Sequence, residues 1–275
     1  MTRYTRRTRR TLQVTGVGVA ALLALSACSS GSDSSSKKDS SSAPKDSAKK
    51  VTGTVTVFAA ASLKESFTTL GKDFEKAHPG TKVTFSFGGS DTLAASITGG
   101  APADVFAAAS PKTMAIVTDK KDAATAPSTF VRNQLEIATL PGNPDKVASL
   151  KDLTKSGLKV VLCDKTVPCG AAAQKALDAS KLKLTPASYE QDVKSALTKV
   201  ELKEADAAVV YKTDVKAAGG KVDGVEFPES ANAINDYPIA LLKDAPNAAA
   251  AKEFIALVQS AEGQKVLTAA GFLKP

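Results

Sequence analysis

Two serines stand where hydrogen-bond donors would gather. Ser62 closes the apolar run Val55-Thr-Val-Phe-Ala-Ala-Ala-Ser62, and Ser90 follows Gly88-Gly89. Each falls where a strand should turn into a helix. Small residues leave room there, and the first N–H groups of the helix have no intrahelical partner. A hydroxyl beside free N–H groups suits an anion, aided by the helix dipole. The Ser62 stretch also fits an ordinary capped turn, because Glu65 lies three residues on, as a capping box requires. Thr166-Val-Pro-Cys169-Gly170 is a third turn of this kind, where Gly170 lets backbone come close to a ligand. Tyr211, at the end of the run 205–211, is either half-buried packing or an O–H donor.

Nucleophilic use of Ser62 or Ser90 needs an activating base. His78 is the single histidine of the sequence. It lies roughly 24 Å from Ser62 at the helical rise of 1.5 Å per residue, and no Ser-x-x-Lys begins at either serine. The chain is therefore expected not to be an enzyme, with an exported serine-dependent hydrolase as the distant alternative. His78, in a Lys-Ala-His78-Pro-Gly helix end, reads as a cap or a solvated residue. Two cysteines and one histidine do not make a zinc site. Asp104 reads as a strand-end or capping residue, since a carboxylate beside an anion is unfavourable.

The elements that position these residues alternate. Strands are expected at the run ending in Ser62, at 82–87 and at 103–109. Helices are expected at 63–76, with Leu63, Phe67, Leu70, Phe74 and Ala77 at helical spacing, through Leu93, Ala94 and Ile97, and at 111–118. Strand–helix alternation is the pattern of a parallel α/β sheet, whose ligands bind beyond the carboxyl ends of the strands. Further strands are expected at 133–140, 159–163, 205–211, 225–228 and 237–242. Further helices are expected at 150–153, 170–180, 188–199, 248–259 and 262–270. Two α/β units joined by extended segments near 130–138 and 236–242 predict two lobes and a cleft. The expected division is 51–132 with 239–275 as lobe 1, and 133–238 as lobe 2.

The amino terminus reads differently. Arg3, Arg6, Arg7, Arg9 and Arg10 precede an uncharged apolar run over 12–27, which fits a signal peptide at 1–27. Leu25-Ser-Ala-Cys28 resembles a bacterial lipobox, so Cys28 is the expected lipidated residue. Thr8-Arg9-Arg10-Thr11-Leu12 loosely resembles a twin-arginine signal. Residues 28–50 hold no large apolar side chain and read as a flexible tether. An extracytoplasmic protein held on the outer face of the cell membrane follows.

Net charge for the whole sequence is +8. Without residues 1–27 the balance is 31 basic to 28 acidic, and without the tether it is 26 to 25. Nothing in a nearly neutral body suggests a nucleic-acid surface, which would need a concentrated basic face. Cys163 and Cys169 form an even pair in an exported chain, which predicts a disulfide, with two free thiols as the alternative.

Several of these motifs occur together in one family. Val57-Phe-Ala-Ala-Ala-Ser62-Leu, Gly88-Gly89-Ser90-Asp-Thr-Leu-Ala, Pro102-Ala-Asp104-Val-Phe, Val167-Pro-Cys169-Gly170, Asp192-Val193 and Val209-Val-Tyr211 resemble the molybdate-binding proteins of ABC importers. The resemblance runs from Val55 to Phe272. It implies the type II periplasmic-binding-protein fold, with an oxyanion held between two α/β lobes by Ser62, Ser90, Cys169, Val193 and Tyr211. Cys169 and Val193 would act through backbone N–H groups, and the protein would not coordinate the metal atom directly. It further implies molybdate or tungstate as ligand, with sulfate or phosphate as the alternative, no cofactor, a monomer, and an ABC permease as partner.

Overall fold

The computed structural model describes residues 51–275. The expected signal peptide, the lipidated Cys28 and the tether lie outside the described residues.

The first sheet begins with β1 (Gly53–Ala60), whose Val55, Val57 and Ala59 are buried. A short 3-10 turn (Ala61–Leu63) leads into α1 (Lys64–Ala77). Then follow β2 (Thr81–Gly88), α2 (Ser90–Thr98), β3 (Val105–Ala107) and α3 (Pro111–Asp119). α1 buries Phe67, Leu70 and Phe74 but leaves Ala77 exposed. β4 (Ser128–Asn133) completes the first passage through this sheet.

Gln134 alone separates β4 from β5 (Leu135–Thr139), which belongs to the second sheet. That sheet also takes β6 (Val160–Cys163), β7 (Ser188–Glu190), β8 (Ala207–Tyr211) and β9 (Asp223–Val225). Its helices are α4 (Pro168–Ala179), α5 (Val193–Glu201) and α6 (Lys212–Ala217). The chain then returns through β10 (Asn235–Leu241) to the first sheet and closes with α7 (Ala248–Gln259) and α8 (Ala261–Ala270).

The strand orders are β2-β1-β3-β10-β4 and β7-β6-β8-β5-β9. Each sheet is parallel except for one reversed strand, β10 in the first and β5 in the second. The first core centres on Phe254, whose ring meets those of Phe67 and Phe74 edge-on at 5.9 and 5.6 Å. The second core is built of Ala and Val from β6, β8, α4 and α5. Such small side chains let helices lie close to a sheet.

Four expectations need correction. Ser62 makes no capping box: α1 starts at Lys64 and has no side-chain cap. The hydroxyl is drawn instead to Tyr237, a bond that local sequence does not encode. Residues 188–199 are not one helix. Ser188–Glu190 extends as an edge strand beside β6, and α5 starts only after Asp192, which caps it. The fourth helix begins at Pro168 rather than Gly170, since proline is at home in a first turn. Residues 128–139 hold two strands, one for each sheet, and α6 was not foreseen.

Candidate functional site

The carboxyl ends of β1, β2 and β8 and the first turns of α2, α4 and α5 face one small cleft. Ser62, Ser90, Cys169, Val193 and Tyr211 all line it. The first two come from the lobe of the first sheet and the other three from the lobe of the second.

Each helix start presents free donors. The first helical bond of α2 is Leu93 N–H to the Gly89 carbonyl, so Ser90 N–H has no intrahelical acceptor. In α4 the first bond is Ala171 N–H to the Val167 carbonyl, which leaves Cys169 N–H ahead of it. In α5 the Asp192 carboxylate accepts from Lys194 N–H and Ser195 N–H at 2.8 and 2.9 Å. Val193 N–H is passed over. Asp192 lines the cleft, yet its charge is turned into the helix and is further bonded by Ser195 Oγ at 2.9 Å.

The hydroxyls are held as well. Ser90 Oγ accepts from Ala109 N–H at 3.0 Å, so its own proton is free to be donated. Ser62 Oγ lies 2.8 Å from the Tyr237 hydroxyl. The Tyr211 hydroxyl accepts from Asn235 Nδ2 at 2.7 Å. Burial pushes the Tyr211 phenol well above its ordinary pKa, so it stays a neutral O–H. No lysine or arginine lines the space among the described residues. The groups that face it are neutral dipoles, the kind that can stabilise an anion at helix N-termini.

Cys163 and Cys169 are joined by a disulfide, and it ties the α4 turn to the end of β6. Gly170 packs so closely that an added Cβ would lie 1.9 Å from the Asp164 carbonyl oxygen. Gly89 meets the other lobe in the same way, with an added Cβ 2.4 Å from the Gln191 carbonyl oxygen. Asp104 stands apart from the cleft. It is buried at the start of β3 and accepts from Thr56 N–H and Asn247 N–H. His78 caps α1 and rests its ring 4.4 Å from that of Phe74.

Sequence reasoning missed Asn133, Asn235 and Tyr237, which hold the hydroxyls from behind. Their partners lie far away in the chain, and no local pattern marks them. Among the described residues there is no cluster of three or more His, Cys, Asp or Glu, and no helix is long and apolar enough to cross a membrane.

Two α/β lobes with adjacent crossings and a small donor-lined cleft define a two-lobed solute-binding protein. The chain belongs to the bacterial extracellular solute-binding protein family, whose model matches residues 55–273. It is 42% identical over 262 residues to the molybdate-binding protein ModA of Mycobacterium tuberculosis H37Rv, spanning 95% of this chain and 97% of that one. ModA of Escherichia coli K12 is 33% identical over 233 residues, spanning 80% of this chain and 89% of that one. Among solved structures, the periplasmic molybdate-binding protein of Azotobacter vinelandii superposes with a TM-score of 0.70. It is 22% identical and covers 80% of this chain and 99% of that one.

Proposed function

We propose that this chain is an extracytoplasmic receptor that captures molybdate and delivers it to an ABC importer. The observation that carries this reading is the convergence of five donor positions, from both lobes, on one small space without a lysine or arginine. A tetrahedral dianion needs many donors and no acceptors, and helix N-termini supply them. Relatives that bear the name of molybdate-binding protein support the choice of ligand. Tungstate, of the same shape and charge, is expected to bind too. Sulfate and phosphate are smaller and are expected to fill the donor ring poorly. The role is that of a receptor, not an enzyme, and the protein needs no cofactor.

The lobes divide best where the sheets do, with crossings at Gln134 and Ile234. Residue 239, the boundary expected from sequence, lies inside β10. Lobe closure on the anion would present a surface to a permease. Cys28 is the proposed lipid attachment, residues 1–27 the removed signal and 28–50 the tether, with the receptor acting as a monomer on the outer face of the membrane.

Titration calorimetry against molybdate, tungstate, sulfate and phosphate tests this. Tight binding of the first two alone is the expected result. Binding of sulfate instead would sink the molybdate assignment and keep the receptor. Heat from none of them would remove the oxyanion reading.

A further inference from the structure

Asn133 and Asn235 are Cα partners across the antiparallel pair β4 and β10, where both crossings between the lobes begin. Both are buried. The orientation of each amide is fixed by a neighbour that can play only one part. Asn235 Nδ2 lies 2.9 Å from the Ala109 carbonyl oxygen and 3.4 Å from that of Pro168. Carbonyls only accept, so the amide nitrogen must face them. The same nitrogen lies 2.7 Å from the Tyr211 hydroxyl. The Tyr211 oxygen therefore accepts, and its proton must turn away from Asn235, a direction in which the cleft lies.

Asn133 works through one more residue. Its Oδ1 accepts from Gln134 N–H at 3.0 Å, and a backbone N–H only donates. Its Nδ2 therefore faces Thr213 Oγ1 at 2.8 Å and the Tyr237 hydroxyl at 3.4 Å. Tyr237 accepts there, and either hydroxyl can donate in its 2.8 Å bond with Ser62 Oγ, so this bond can then run from Tyr237 to Ser62. Run in that direction, it leaves Ser62 with a proton to donate.

We propose that Asn133 and Asn235 are positioning residues that set the proton direction of the Ser62 and Tyr211 hydroxyls. The cleft then offers protons only, and it rejects oxyanions that carry a proton of their own. This inference rests on the oxyanion reading above. A hydroxyl released from its asparagine can rotate and present a lone pair. That lone pair can accept from a protonated anion such as hydrogen phosphate.

The test is a pair of double-mutant cycles on the purified protein, read by titration with molybdate and with phosphate near pH 7. Asn235→Ala is expected to weaken molybdate binding roughly tenfold, the size of one hydrogen bond to a charged group. It is also expected to narrow the molybdate-to-phosphate ratio by more than that factor. In a Tyr211→Phe background it should do neither. Asn133→Ala with Ser62→Ala forms the second, independent cycle, and circular dichroism establishes that each variant folds. An unchanged selectivity ratio, or equal costs with and without the partner hydroxyl, overturns the inference and leaves the receptor reading intact. A wild-type protein that binds no oxyanion overturns both.

Discussion

Nζ of Lys194 lies 3.0 Å from Oε2 of Glu65, so one ion pair joins the first turn of α5 to the first turn of α1 across the cleft. The same ammonium lies 3.1 Å from Oδ1 of Asp214. Burial disfavours its charge, but the carboxylates of Asp214 and Glu65 outweigh that and raise its pKa. The bond to Glu65 exists only while the lobes are together. Glu65 is about half exposed, at 49%, and such pairs contribute about 1 kcal/mol or less. Glu65→Gln is expected to weaken anion affinity less than about fivefold, and less still at high salt. Titrations at two ionic strengths check this, and a large loss that persists in salt would count against it.

Gly89 has no room for a side chain against the Gln191 carbonyl of the opposite lobe. Its φ is an ordinary −60°, so the constraint is space and not backbone conformation. Gly89→Ala should obstruct closure while leaving each lobe folded. The expected outcome is a fall in affinity of tenfold or more with little change in melting temperature. A melting temperature that falls along with the affinity would point to a folding defect instead.

The Cys163–Cys169 bond closes a short loop, with a sequence separation of 6. Loops of this size gain roughly 2 kcal/mol from a cross-link. Replacing both cysteines by serine should lower stability by about that amount in denaturant melts. It should also weaken anion binding, because Cys169 N–H belongs to the tethered turn. Affinity that survives the change would mean that the Gly170 contact alone holds the turn.

Asp214 is fully buried, and burial raises its pKa to about 6 despite Lys194. In the unfolded chain an aspartate titrates near 3.9. Between those values the folded state binds the extra proton, so this residue's contribution to stability is full below about pH 4 and declines as pH rises to about 6. Asp214→Asn keeps an acceptor for Tyr211 N–H and removes the titration. Melting curves from pH 4 to 7 should show the wild type losing stability relative to the variant over that window. Parallel curves would place the titration elsewhere.

The sequence carried the strand–helix alternation clearly, because Val55, Val57, Phe67, Leu70 and Phe74 follow simple periods. Ser62, Ser90 and Cys169 stood out at turns before helices and Tyr211 at a strand end, whereas Val193, and the five as one set, came from the family resemblance. What it hid depends on distance along the chain. Ser62 looks like a cap next to Glu65, and only Tyr237, 175 residues away, takes it out of that role. Asn235 reaches Ala109 across 126 residues. Residues 188–190 look continuous with the helix behind them until β6 pulls them into the sheet. Local patterns give elements and their ends, whereas hydrogen bonds between elements depend on the finished packing.

The position of β10 has a consequence for the order of assembly. It lies between β3 and β4, inside a sheet whose other four strands all come from residues 53–133. As the chain is synthesised, the second lobe can be completed from one continuous stretch. The first must wait with a gap in its sheet until residues 235–241 arrive. Closing so long a loop is entropically slow. The half-built sheet meanwhile exposes unpaired edges on β3 and β4, surfaces that invite aggregation.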